Sequence, residues 1–175
     1  MRTKRRCVAI RPQQVEHVVA SHPIARRILC HGTRRGVEQQ LFMAAYHPHV
    51  QDVLGTEISP SATEFPLTVQ WDFSVPNPEW IGAWDVVYSN SFDHAFDPAV
   101  TLHTWADQLA PAGSLFIDIS IRTMPDRYDP LVITPAEIEG LARECGLAMV
   151  QSTRILMAPG RRQRHHTISC QFKRV

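Results

Sequence analysis

Ile28-Leu29-Cys30-His31-Gly32-Thr33-Arg34-Arg35-Gly36 is the stretch on which the reading of the whole chain turns. Its first four residues form a compact apolar run, the pattern of a strand buried on both faces of a parallel sheet. Gly32 ends that run. Residues 36–46 then take up helical spacing, with Val37, Leu41 and Ala44 or Ala45 on one side. The two glycines are spaced G-x-x-x-G, so the backbone can turn tightly and approach a ligand with no Cβ in the way. The helix start also offers N–H groups to an anion. A plain strand-to-helix turn would show the same residues. The dinucleotide fingerprint would need glycines at 34 and 37, where Arg34 and Val37 stand, and no Gly-Lys-Ser/Thr of a P-loop follows.

Outward from this unit, strands and helices alternate. Upstream, residues 12–20 read as a helix with Pro12 in its first turn, a Val15, Val18, Val19 stripe, and Pro23 blocking continuation. Downstream, Val53 to Ile58 is a second strand. Ser59-Pro60 follows as an N-cap with proline at the first helical position. Leu67 to Trp71 is a third strand, residues 72–84 a loop, and Trp84 to Ser89 a fourth strand. Asp97-Pro98 caps a helix carrying Leu102, Trp105, Ala106 and Leu109, and Ala112-Gly113 turns into a fifth strand from Ser114 to Ile119. Thr134-Pro135-Ala136-Glu137 is a capping box opening a helix through Ile138, Leu141 and Cys145, closed by Gly146. Ala148 to Met157 and Thr167 to Arg174 form a terminal antiparallel hairpin. Alternation of this kind predicts a doubly wound α/β fold: a mostly parallel seven-stranded sheet with a C-terminal antiparallel β-hairpin and helices on both faces. Residues 1–175 are expected to form one domain, with 1–25 as an N-terminal helical extension.

The chain has 175 residues, 44% apolar and 20% charged, the balance of a globular domain with an ordinary core. A formal net charge of +1 argues against a general nucleic-acid binder. Basic residues cluster locally, at Arg2, Lys4, Arg5 and Arg6 and again at Arg161, Arg162 and Arg164. Such runs read as solvated surface or as a phosphate or carboxylate contact. Cys7, Cys30, Cys145 and Cys170 contain no CxxC pair, which favours thiols in a reducing compartment over disulfides or a metal site. With no apolar h-region and no run long enough to span a bilayer, a cytoplasmic protein is expected.

In an open α/β sheet, ligands bind outside the carboxyl ends of the strands. After the second strand stands Glu57, a carboxylate able to accept from both hydroxyls of a ribose, or simply an exposed strand-end acid. Trp71-Asp72-Phe73 after the third strand offers an acid for an exocyclic amine beside apolar rings, although the aromatics could equally be core. After the fourth strand comes a dense polar cluster, Ser89-Asn90-Ser91-Phe92-Asp93-His94. His94 has the ordinary pKa of a general base, and a lone histidine can also be structural.

These pieces in this order resemble the class I (seven-stranded, Rossmann-like) S-adenosylmethionine (SAM)-dependent methyltransferases over residues 28–175. The Leu109-Ala110-Pro111-Ala112-Gly113 turn adds to the likeness. The resemblance implies SAM as cofactor and S-adenosylhomocysteine as product. Gly32, Thr33, Arg34 and Gly36 would hold the methionine end, Glu57 and Ile58 the ribose, and Asp72 and Phe73 the adenine. Asn90 and Ser91 would stand beside it, with His94 as catalytic base. The sequence departs from the family pattern at Cys30, where an acid often stands and whose absence could weaken a contact to the SAM ammonium. Arg34 stands where a glycine is common and could instead face the cofactor carboxylate. The helix expected between strands three and four is replaced by a loop. No Asn/Asp-Pro-Pro-Tyr/Phe run follows strand four, which points to O- or N-methylation of a small molecule. The alternatives are a non-catalytic SAM-binding or scaffold protein on the same fold, and an NAD-dependent oxidoreductase, disfavoured by the missing third glycine. No metal is expected.

Overall fold

The computed structural model describes residues 10–120, 124, 130–156 and 166–175. Arg2, Lys4, Arg5, Arg6, Cys7 and the hairpin tip with Arg161, Arg162 and Arg164 lie outside the described residues. Seven strands form one sheet: β1 (Arg27–His31), β2 (Asp52–Glu57), β3 (Thr68–Gln70), β4 (Trp84–Ser89), β5 (Leu109–Ser120), β6 (Leu147–Leu156) and β7 (His166–Arg174). Their order is β3-β2-β1-β4-β5-β7-β6. The first five run parallel, and β7 inserts antiparallel between β5 and β6. The terminal hairpin is thus as expected, its second strand lying inside the first.

Side chains alternate across the sheet and create two apolar layers. Ile28 and Cys30 of β1, Val86 and Tyr88 of β4, and Phe116 of β5 pack with helices α1 (Pro12–Ser21) and α2 (Val37–Ala45). Leu29, Val87, Leu115 and Ile117 face the other way, toward helices α3 (Pro98–Gln108) and α4 (Pro135–Glu144). Asp97 caps α3, its Oδ1 accepting from the Ala99 and Val100 amides at 3.0 and 3.1 Å. The capping box at Thr134 and Glu137 is complete.

Between β3 and β4 the chain forms only a short 3-10 turn, Pro78–Trp80. Large rings cluster around this turn. Trp80 is buried and meets Trp71 at 5.6 Å and Trp84 at 6.5 Å between ring centroids.

Three local expectations are corrected. After β2 the chain makes a 3-10 turn, Pro60–Glu64, and Ser59 gives it no side-chain cap. The Ser59 amide is drawn back to Glu57 Oε1 (2.9 Å), and the Ser59 hydroxyl pairs with that of Ser61. β5 starts at Leu109 and not after the Ala112-Gly113 turn: Leu109 pairs with Trp84, and Ser114 with Val86, so the residues between bulge out. The face of α2 turned to the sheet carries Glu38, Gln39 and Phe42, while Ala44 and Ala45 are exposed. Glu38 and the Gln39 amide nitrogen are bonded at the end of the sheet, which offsets part of the cost of their burial.

Asp97→Ala removes two capping hydrogen bonds and is expected to lower stability by about 1 kcal/mol. Urea denaturation measures this, and an unchanged midpoint would contradict the assignment.

Candidate functional site

β1 to β4 are parallel and end level with one another. His31 lies opposite Thr56 and Ser89, and Glu57 opposite Gln70. This register brings the segments after the strands, residues 32–36, 58, 71–73 and 90–91, to one edge of the sheet. The sequence-predicted cofactor residues therefore share a single mouth.

The turn after β1 is held in a left-handed path. Gly32, Arg34 and Gly36 have φ of 72°, 44° and 68°. For Arg34 this conformation costs about 1–2 kcal/mol. Flanking hydrogen bonds hold it: the Thr33 amide donates to the Thr56 carbonyl (3.0 Å) and the Gly36 amide to the Thr33 carbonyl (3.1 Å). The two glycines serve different neighbours. A Cβ on Gly32 would stand 2.6 Å from the Ser91 Cβ, so Ser91 closes onto the turn and donates its hydroxyl to the Gly32 carbonyl (3.1 Å). A Cβ on Gly36 would crowd Thr68 Oγ1 and the Pro66 carbonyl at β3.

Two buried polar residues to which the sequence reading gave no such role support this turn. The Gln39 amide nitrogen occupies the space where a side chain on Gly55 would be, and bonds Thr33 Oγ1, the Leu67 carbonyl and Thr68 Oγ1 at 3.0–3.2 Å. The Thr33 side chain is thereby turned inward. His31, read as part of an apolar run, is stacked on Trp105 at 4.9 Å. With Gln108 Oε1 facing Nε2 (2.8 Å), that nitrogen carries the proton, and Nδ1 accepts from the Thr56 hydroxyl (3.0 Å). Thr56 Oγ1 also lies 3.4 Å from the Gly32 amide. Burial lowers the His31 pKa to about 4, with the Gln108 hydrogen bond opposing. The ring is neutral, a positioning group beneath the turn. A glycine inside β2 was the signal that could have revealed Gln39, because such glycines mark a close approach.

At the end of β2 and β3 lies an open groove of about 300 Å³ lined by Ile58, Gln70, Trp71, Asp72 and Val75. Ile58 is 66% exposed on its wall. Glu57, the last residue of β2, is half-buried and held by the Ser59 amide. Trp71 Nε1 donates to the Val75 carbonyl (2.9 Å), fixing the indole, and Asp72 Oδ1 accepts from the Ser74 amide (2.9 Å) at the rim. Phe73 turns away from the groove to meet Trp105 and His31 edge-on, and its Cε1 lies 3.6 Å from where a Gly32 Cβ would be.

On the α2 side of the mouth, Asn90 Nδ2 donates to Glu38 Oε1 (3.3 Å), and Asn90 Oδ1 lies 3.2 Å from Ser91 Oγ, competing with the Gly32 carbonyl for its one proton. Glu38 is only 5% exposed, and burial raises its pKa to about 7 against hydrogen bonds from its own backbone and Asn90 and the charge of Arg34. Farther along, Asp118 accepts from the Tyr88 hydroxyl (2.8 Å) and from Gln14 of α1, and burial raises its pKa as well. His94 is exposed, on the short turn Phe92–His94 that follows β4. Among the described residues, no group of three His, Cys, Asp or Glu side chains could hold a metal, and Cys30, Cys145 and Cys170 are thiols. No helix among them is long and apolar enough to cross a membrane.

The sequence matches no family model and no curated protein. The structure does resemble solved proteins. It superimposes on the 1,6-didemethyltoxoflavin-N1-methyltransferase of Burkholderia thailandensis, solved with 1,6-didemethyltoxoflavin and S-adenosylhomocysteine, with a TM-score of 0.74 at 18% identity, covering 99% of this chain and 81% of that one. The fold is that of the class I SAM-dependent methyltransferases. The N-methyltransferase NodS of Bradyrhizobium japonicum, solved with S-adenosylhomocysteine, gives 0.67 at 14% identity over 93% of this chain and 85% of that one. A TehB-like SAM-dependent methyltransferase from Corynebacterium glutamicum gives 0.62 at 17% identity over 93% and 88%. Within this methyltransferase fold the mouth described above is the topological switch point, where β1 separates strands wound to opposite sides.

His31 is expected to titrate near 4, against an ordinary value of 6.5. The folded value is depressed, so its contribution of about 3 kcal/mol is present above pH 6.5 and is lost as pH falls toward 4. Imidazole NMR shifts followed against pH test this, and titration near 6.5 would contradict the buried neutral ring.

Proposed function

We propose that the protein is a SAM-dependent methyltransferase acting on a small molecule. The observation carrying this reading is the convergence of the glycine turn, Glu57 and the Trp71–Asp72 groove on one sheet edge. The residues fit the cofactor. The groove has an indole wall for an adenine ring and a rim carboxylate, Asp72, to accept its amino group. Glu57, held by the Ser59 amide, accepts from the ribose hydroxyls, with Ile58 covering the sugar. The turn from Gly32 to Gly36 presents its backbone, and Arg34 its charge, to the carboxylate of the amino-acid end. Asn90 and Ser91 flank that end. Bound here, SAM supplies a methyl group already activated on a sulfonium.

The chain's own work is then positioning, exclusion of water and proton removal. His94, exposed beside the mouth, takes the proton from the acceptor atom. The small-molecule reading is supported by likeness to the Burkholderia thailandensis methyltransferase, solved with 1,6-didemethyltoxoflavin. The working unit is taken as one cytoplasmic domain over residues 1–175, with 1–25 as its helical extension. A non-catalytic SAM-binding protein is the second reading, favoured by Cys30 near the end of β1 and by Arg34 in the left-handed region. Methyl turnover separates the two.

Calorimetry with SAM and S-adenosylhomocysteine, using NAD as control, is expected to show binding of the first two alone. Glu57→Ala should weaken it on the order of 10- to 100-fold, the value of charge-assisted hydrogen bonds. No binding to the folded protein would overturn the proposal.

A further inference from the structure

Glu38 is an acid in a place that costs the folded protein stability. It stands on the first turn of α2, almost fully buried, with Cys30 of β1 beneath it and Asn90 after β4 beside it. Among the described residues the groups facing it are Cys30, Arg34 and Tyr88, the last shared with Asp118, and Arg34 is the one cation among them acting on it. Arg34 lies on the turn and is itself part-exposed. Glutamine would fill the same space and keep the Asn90 hydrogen bond without the cost of desolvating a charge. A buried carboxylate retained at a ligand mouth is better explained by a cation that arrives with the ligand.

We propose that Glu38 holds the ammonium group of the cofactor's amino-acid end, doing from helix α2 what no acid at position 30 can do. This rests on the SAM reading. Geometry favours the assignment over the other acids of the mouth. Glu57 is tied to Ser59 at the end of β2, and Asp72 lies at the groove rim beyond β3, both on the nucleoside side. Asn90, the partner of Glu38, precedes Ser91, whose hydroxyl bonds the Gly32 carbonyl, so two side chains, Asn90 and Ser91, link the carboxylate to the glycine turn. Arg34 and Glu38 would then divide the amino-acid end between them, the guanidinium to its carboxylate and the carboxylate to its ammonium. Glu38 acts as a specificity residue: ligands with an amino-acid end gain from it and bare nucleosides do not.

The test compares S-adenosylhomocysteine with 5′-methylthioadenosine, which keeps the nucleoside and sulfur but lacks the amino-acid end. Glu38→Gln should weaken S-adenosylhomocysteine on the order of 10- to 100-fold while leaving 5′-methylthioadenosine unchanged. Its thermal midpoint without ligand should rise at pH 8, which also shows that the variant is folded. In the wild type, affinity for S-adenosylhomocysteine should climb between pH 6 and 7.5 as Glu38 ionises, with that for 5′-methylthioadenosine flat. Equal losses for both ligands, or none for either, would overturn the proposal with the SAM reading intact. Wild-type protein that binds neither compound would overturn both.

Discussion

The Gln39 side chain reaches from α2 through a gap left open by Gly55, and the mouth at the strand ends is built around that contact. One amide nitrogen meets the turn after β1 at Thr33 and the entry to β3 at Leu67 and Thr68. β3 is only three residues long and lies at the edge of the sheet, so the ladder alone gives it little hold. Gln39 therefore fixes the distance between the glycine turn and the groove beyond β3. Any side chain at position 55 would expel it. His31 plays the matching part on the opposite face, linking the Gly32 amide through Thr56 to Gln108 of α3.

The mouth carries a cost in stability. Arg34 is strained, and Glu38 is held where its ionised form is disfavoured. The folded Glu38 pKa, about 7, lies above its ordinary 4.5. Its contribution is therefore greatest below pH 4.5, and about 3 kcal/mol is lost as pH rises through 7. His31 has the opposite slope over nearly the same range, so the two largely cancel in the whole protein. The aromatic layer offsets such costs: Trp80, Trp84 and Trp105 are buried on the α3 face, where the loop after β3 supplies rings in place of a helix.

Much of this was legible in the sequence. Apolar runs with glycine and proline punctuation located all seven strands, and Asp97 and Thr134 marked their helices through capping chemistry alone. The shared mouth followed from the parallel reading and strand-end rule, which put Gly32, Glu57, Asp72 and Asn90 together. What was not legible was buried polarity. Glu38 and Gln39 look like solvated helix positions until Asn90, Thr33 and Thr68 are seen to bond them; of the expected apolar stripe, Val37 and Leu41 do pack at the edge of the core, while Ala44 and Ala45 are exposed. His31 passed for a plain strand residue for the same reason. Partners 25 to 77 positions away leave no local signal. The bulge in β5 was hidden because Pro111 and Gly113 are turn residues by composition, and only pairing with Trp84 and Val86 reveals the strand.

The central claim is that one cofactor spans the mouths of β1 to β4. The most direct measurement is a two-dimensional amide NMR titration of the labelled protein with S-adenosylhomocysteine. The predicted result is a set of saturable shifts at residues 32–36, 38, 57–58, 71–73 and 90–91, with β6 and the outer face of α4 unmoved. Shifts centred elsewhere, or none at millimolar ligand, would contradict the account.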